Sequence, residues 1–278
     1  MNYKTRYSTH PTDVRNYKTD QLRDHFLIDN LFQPEAINLV YSLEDRLIIG
    51  GIHLQHETLL LETIDQLKSQ TFLERREIGL INVGKSTAEI SVDGELFSLS
   101  PKEALYIGKG VKEVKFLPSK EKETKLYFNS APAHCAYPTK KVTKEEAEVV
   151  DLGSSENANE RTIYKLLVNS VVQTCQLQMG MTELHPGSVW NTMPAHTHDR
   201  RMEAYFYFDL EAGQTVCHFM GQPQETRHIW LQGDQAVISP PWAIHSGVGT
   251  SNYTFIWGMA GENLDYADMD IIQPNELK

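Results

Sequence analysis

The sequence predicts a mainly β protein of two tandem β-barrel-like halves with short flanking helices. Three observations carry this expectation. From about residue 78 onward, short β-like runs are separated by turn signals at the spacing of a sandwich or barrel. A polar stretch in the middle, TKKVTKEEAEVVDLGSSENANERT, is rich in Lys, Glu, Ser and Asn and poor in aromatics, as a linker is. Beyond it strands resume with no long helical pattern between them. At 278 residues with 40% hydrophobic residues, the chain can bury the cores of two ordinary domains.

Residues 1–70 alternate helix-like and short extended segments. Thr12-Asp13 precedes a mixed polar stretch, and residues 60–68 show helical spacing. The runs IGLINV, AEISV, ELFSL, ALYI, EVKFL and KLYF follow, with a hairpin signal at Asp93-Gly94. GLINVGKS, residues 79–86, matches the phosphate-loop pattern letter for letter. Its context rejects that reading: a phosphate loop opens a helix, whereas this one sits between a strand-forming run and an alternating TAEISVDG. With residues 139–161 as the linker, we expect domains at 1–145 and 146–278. In the second half SVVQTCQLQMGMTEL, MEAYFYFDL, QTVCHFM, RHIWLQ, QAVISP and NYTFIWGMA are each bounded by turn residues.

A formal net charge of -11 argues against nucleic acid or an anionic membrane as partner, because the mean field repels phosphate. A small anionic substrate remains compatible if basic residues gather locally. Cys135, Cys175 and Cys217 form neither a CxxC pair nor an even disulfide set, which fits a reducing compartment and buried small side chains. The start MNYKTRYSTHP has no apolar signal core, and no apolar run could span a bilayer, so a cytoplasmic protein is expected.

The densest chemistry lies in MPAHTHDRRMEAYFYF, residues 193–208. On a strand with period two, His196 and His198 emerge on one face and can meet one ion. Glu203 stands an odd five positions on, but a turn or bulge at Asp199-Arg200-Arg201 can swing it back. Glu203, Tyr205 and Tyr207 then share a face lining a polar interior. Ala204, Phe206, Phe208 and Leu210 share the other, which needs cover from the first half or a second subunit. In GDQAVISPPWAIHSG, residues 233–247, an apolar strand ends at a Pro-Pro corner and delivers His245.

These residues resemble the two motifs of the cupin superfamily: Gly187, His196-x-His198-x4-Glu203, then Gly233, Pro240 and His245. The gap from Gly187 to His196 is longer than usual, and Trp242 stands where glycine is common, which would narrow the mouth. More narrowly, GSVWNTMPAHTHDRRMEAYFYFDL and SPPWAIHSGVGTSNYTFIWGMAGEN resemble the 4-deoxy-L-threo-5-hexosulose-uronate ketol-isomerase family, with similarity running the full length. The first half resembles a degenerate cupin, since LINVGKSTAEI has no histidine and the stretch after Gly94 ends near Lys112, read as a solvated lysine.

The resemblance implies one divalent metal per chain, zinc before iron, nickel or manganese, held by His196, His198, Glu203 and His245. It also implies homohexamers and a place in pectin and uronate breakdown. The reaction would convert an open-chain 4-deoxy-5-keto-uronate aldehyde into the isomeric 2-ketone by proton movement from C2 to C1, without a redox cofactor. Candidate proton carriers are Glu203, Tyr205 and Tyr207. Arg161, Arg200 and Arg201 are candidates for holding the substrate carboxylate, with Gln176 and Gln178 as further contacts. His218 and His228 lack paired spacing and read as structural, and residues 261–278 read as a solvated C-terminal strap. Other functions open to this set are isomerisation of the 5-deoxy-glucuronate of inositol breakdown, a metal-dependent dioxygenase, and a non-catalytic sugar-binding module.

Overall fold

The Ile-, Val- and Phe-rich runs of the first half form strands in the computed structural model, which describes residues 1–119, 123–262 and 264–278. Among the described residues the chain divides into two compact units. The first comprises residues 1–6, 30–148 and 165–179; the second comprises residues 7–29, 149–164 and 180–278. The units therefore exchange segments instead of meeting at the single cut near residue 145 that composition suggests.

In the first unit a seven-stranded sheet runs in the order Asn2–Arg6, Ala36–Ser42, Ile48–Leu54, Thr124–Pro132, Arg76–Asn82, Ala104–Ile107, Lys140–Val142. A four-stranded sheet runs Leu59–Leu60, Val114–Leu117, Ala88–Val92, Glu95–Leu99. The hairpin at Asp93-Gly94 forms as expected: Val92 pairs with Glu95, and both turn residues have positive φ, 46° and 89°. The interior is aliphatic, with Ile52, Leu54, Ile78, Leu80, Ile107 and Phe128 in one buried cluster.

The second unit repeats the order. Its larger sheet runs Glu148–Leu152, Arg161–Leu167, Gln178–Leu184, Thr254–Gly261, Arg201–Phe208, Gln235–Ser239, Leu27–Ile28. Its smaller sheet runs Trp190–Asn191, Ser246–Gly249, Val216–Gln222, Glu225–Leu231. The mainly β expectation with short helices is what the chain shows, the helices being Pro11–Val14 and Thr19–Phe26. The lead-in belongs to this unit. Trp242 donates its indole N–H to the Thr9 carbonyl at 3.2 Å and meets the Phe26 ring edge-on at 6.5 Å.

Three sequence readings change. Residues 60–68 form a strand end and a one-turn 3-10 helix, not a longer helix, because Leu61 and Ile64 are drawn into the aliphatic core. The expected linker is woven into the sheets: Lys140–Val142 pairs with Ala104–Ile107, and Glu148–Leu152 edges the second large sheet. Its polar composition suits edge strands as well as it suits a linker. Phe206 and Phe208 are buried within the single chain, as are Tyr253 and Trp257, so none of them calls for cover from another subunit. Lys112 is exposed, as expected, with its backbone N–H bound to Asp93. No helix is long and apolar enough to cross a membrane among the described residues.

Residues 165–179 are held to the first unit by a carboxylate. Glu77, fully buried, accepts the backbone N–H groups of Cys175 at 2.8 Å, Gln176 at 2.7 Å and Leu177 at 2.9 Å, and the Tyr106 hydroxyl at 2.7 Å. Burial, reinforced by this carboxylate, pushes the Tyr106 phenol up, so it remains a donor. Glu77→Ala would strand four buried donors. It should lower unfolding free energy by about 3 kcal/mol or more, read from denaturant midpoints, with Glu77→Gln losing less.

Candidate metal centre

Strand alternation, a turn and a proline corner bring four side chains to one point of the second unit. Arg201–Phe208 presents Glu203, Tyr205 and Tyr207 inward from between Gln235–Ser239 and Thr254–Gly261, Glu203 lying opposite Ser239 and Met259. The Gln235–Ser239 strand ends at Pro240-Pro241, where the Ala243 N–H closes a turn on the Pro240 carbonyl and leads into His245. The His198 N–H binds the Pro241 carbonyl at 3.3 Å, tying the histidine pair to that corner. The ligand atoms of His196, His198, Glu203 and His245 all lie within 4.8 Å of one another.

Glu203 Oε2 is 3.0 Å from His198 Nε2 and 2.8 Å from His245 Nε2, which is itself 2.9 Å from His196 Nε2. His198, Glu203 and His245 are buried, and His196 is partly so. His198 Nδ1 is 3.0 Å from the Asp268 carbonyl, which can only accept, so that nitrogen carries the proton and donates. In neutral His198, Nε2 then presents a lone pair to the Glu203 carboxylate, an acceptor facing an acceptor. A divalent cation among the four atoms resolves that conflict, and three imidazoles with one carboxylate suit zinc, iron, nickel or manganese. Burial pushes the Glu203 carboxyl up, whereas His245 and His198, if protonated, would hold it well below the usual carboxylate range, a part the cation takes over when those imidazoles are neutral ligands. Burial drives His196 down to about 2, leaving it neutral and able to ligate.

The C-terminal residues are largely exposed, as expected of a solvated strap, and are also tied to the site. Asp270–Ile271 pairs with His196–Thr197, and the Ile272 N–H binds the Ala195 carbonyl at 2.9 Å. Arg201, read from sequence as a turn residue or carboxylate holder, is 1% exposed and donates to the carbonyls of Asp265 at 2.6 Å, Tyr266 at 3.0 Å and Asp268 at 3.2 Å. It thereby fixes the carbonyl that orients His198. Sequence carried no sign of this, because a backbone acceptor has no residue type.

The remaining candidates separate. Tyr205 and Tyr207 join the tetrad's surroundings: the Tyr205 ring lies 5.3 Å from His245, and its hydroxyl meets Thr192 Oγ1 at 2.9 Å. Tyr207 meets His218 Nδ1 at 2.8 Å, so His218 belongs to this interior, while His228 is exposed. Arg161 is half-buried, donates to the Asn159 carbonyl at 2.7 Å, and is coupled electrostatically to Tyr205, Tyr266 and Tyr253. Arg200 is not brought to the tetrad; it is half-exposed and pairs with Glu262 at 3.4 Å and Asp268 at 3.9 Å. Gln176 and Gln178 group with the first unit, where the Gln176 N–H is committed to Glu77. Cys135 and Cys175 are adjacent, the Cys135 N–H lying 3.5 Å from Cys175 Sγ, and with exposed His134 they form a second His/Cys group. Cys175 and Cys217 are buried, as expected of small apolar side chains, and Cys135 is partly so.

Removing residues 268–278 deletes both the Asp268 carbonyl and the strand beside His196. Metal affinity should fall about 10–100-fold, measured by competition with a chelator, as when outer partners of ligating histidines are removed. A second outcome concerns pH. Burial, with the charge of His245, drives fully buried His218 down to about 3. The unfolded chain takes up this proton below ~6.5, the folded chain only near 3; this contribution is complete above ~6.5 and lost as pH falls, by up to ~1.4 kcal/mol per pH unit. Urea midpoints of the metal-free protein at pH 7 and pH 5 should drop less in His218→Asn than in the unsubstituted chain.

A model of the KduI/IolB family matches residues 29–274. A 4-deoxy-L-threo-5-hexosulose-uronate ketol-isomerase of Formosa agariphila is 58% identical over 277 residues, covering 99% of this chain and 99% of that protein. One of the same name from Bacteroides fragilis is 54% identical over 278 residues, covering 100% and 99%. Among solved structures, an IolB-like protein from Salmonella typhimurium has a TM-score of 0.71 at 16% identity, over 89% of this chain and 96% of its own. Bacillus subtilis oxalate decarboxylase has a TM-score of 0.55 at 10% identity, over 81% and 71%. These two likenesses are of fold, and agree with the cupin-like β architecture expected from the motifs. The whole-length identity does more: the chain belongs to the KduI/IolB family.

Proposed function

We propose that the chain is a metal-dependent ketol isomerase converting 5-dehydro-4-deoxy-D-glucuronate to 3-deoxy-D-glycero-2,5-hexodiulosonate in pectin and uronate breakdown. The observation that carries this reading is the 58% identity, over the whole chain, to a protein of that name. The buried tetrad supplies a site suited to the chemistry. Zinc is the ion we favour.

The reaction moves a proton from C2 to C1 through an enediolate-like state. A divalent ion bound by His196, His198, Glu203 and His245 would polarise substrate oxygens as a Lewis acid. Of the three candidate proton carriers, Glu203 is ionised and can accept a proton, whereas burial holds both the Tyr205 and Tyr207 phenols well above their ordinary value. The tyrosines therefore act as hydrogen-bond donors. Arg161, partly desolvated beside Tyr205, is the cation we assign to the substrate carboxylate. The partner is thus a small anionic keto-sugar.

His196→Ala and Glu203→Gln should each lower bound metal and uronate isomerisation together, with turnover reduced by about a hundredfold or more, a loss of order 3 kcal/mol in barrier stabilisation. Elemental analysis and a coupled sugar assay on the same preparations check this. Lost metal with full turnover would remove the Lewis-acid role, and oxygen-dependent turnover would point to a dioxygenase instead.

A further inference from the structure

The polar layer beneath the tetrad has a direction. Val216–Gln222 places His218 opposite Gly247, two residues beyond His245, so His218 projects on the same face one pleat deeper. Its imidazole is fully buried and lies edge-on to Tyr205 at 5.6 Å and Tyr207 at 6.0 Å, and Tyr205 reaches on to His245. His218 Nδ1 has the Tyr207 hydroxyl, whereas Nε2 has no hydrogen-bond partner among the described residues.

The protons can be followed through this layer. Tyr253 spends its one proton on the Val189 carbonyl at 3.1 Å, so it accepts from the Asn191 amide at 2.7 Å. That turns the Asn191 NH2 toward the tyrosines, and it also hydrogen-bonds the Tyr207 hydroxyl. Accepting there, Tyr207 still has its own proton to place, and giving it to His218 Nδ1 at 2.8 Å is the arrangement that leaves that proton paired. A neutral imidazole has one N–H, which therefore sits on Nε2, the atom without a partner. Gly247 leaves room for the relay, because a Cβ there would lie 2.8 Å from Asn191 Nδ2 and 3.0 Å from the Tyr207 hydroxyl. The low pKa that burial imposes on His218 keeps the ring neutral.

A buried N–H left unpaired costs about 1–3 kcal/mol, which a bound oxygen would recover. Resting on the ketol-isomerase reading, we propose that His218 is a catalytic residue donating its Nε2–H to the substrate oxygen that gains charge in the enediolate-like state, with Tyr207 and Asn191 as positioning residues that lock the tautomer. Such a donor costs no reorganisation when charge develops.

The test begins with uronate turnover by the unsubstituted, metal-loaded chain; absence of turnover counts against the isomerase reading and not against the tautomer. With turnover established, metal-loaded His218→Asn should lose about 10²–10³-fold in kcat, with KM changed far less. Tyr207→Phe, which removes the hydroxyl that gives its proton to Nδ1, should lose about tenfold. Unchanged kcat in metal-loaded His218→Asn overturns the proposal. Should that variant lose metal or fail to fold, unchanged kcat in Tyr207→Phe overturns it instead. Nitrogen-15 NMR of labelled histidine reads the tautomer without substrate: Nδ1 unprotonated and Nε2 protonated is expected, and the reverse overturns the assignment.

Discussion

When His198 is a neutral ligand, its Nε2 lone pair and the Glu203 carboxylate are two acceptors facing each other across 3.0 Å, and this is the constraint on which the metal site depends. In water each would be solvated separately, and bringing them together dry is unfavourable unless positive charge lies between. The fold forces the encounter. Glu203 is fixed by ladders on both sides, His198 by the Pro241 carbonyl, and the His198 tautomer by Asp268, whose carbonyl is anchored by Arg201. Backbone hydrogen bonds and one buried guanidinium thus supply the stability that the site gives up.

Much of this was legible in the residues. A period of two put His196 and His198 together, the Asp199-Arg200 turn returned Glu203, and the proline corner delivered His245, because strand alternation and proline geometry are local properties. What escaped was non-local. The Asp268 carbonyl looks like any other backbone group, and Arg201 reads as a turn arginine until the C-terminal residues fold over it. His218 lacks paired spacing; its role arises from Tyr207, eleven residues away on another strand. The exchange of residues 7–29 and 165–179 between the units was equally hidden, since it rests on contacts such as Glu77 to three backbone N–H groups nearly a hundred residues distant.

The two units share a strand order and differ in what the inward pleat carries. In the first, Ile78 and Leu80 of Arg76–Asn82 point into an aliphatic cluster, which has nothing to offer a cation. In the second, the corresponding strand carries Glu203, Tyr205 and Tyr207. Substituting polar for apolar side chains at alternate positions leaves the ladder intact, because backbone pairing is indifferent to which face is polar. Fold likeness therefore says little about chemistry here; the inward residues decide it.

Polar side chains on a strand whose other face is also buried draw much of their hydrogen bonding from protein groups. Phe206 and Phe208 close one side of Arg201–Phe208, so Tyr205 and Tyr207 must find partners inside, and they do, in Thr192, His218 and Asn191. Each partner narrows the options of the next, until the relay reaches an imidazole nitrogen that has no hydrogen-bond partner among the described residues. An unpaired donor in such a network is poised for a ligand oxygen, since binding completes hydrogen bonding that folding alone leaves unfinished.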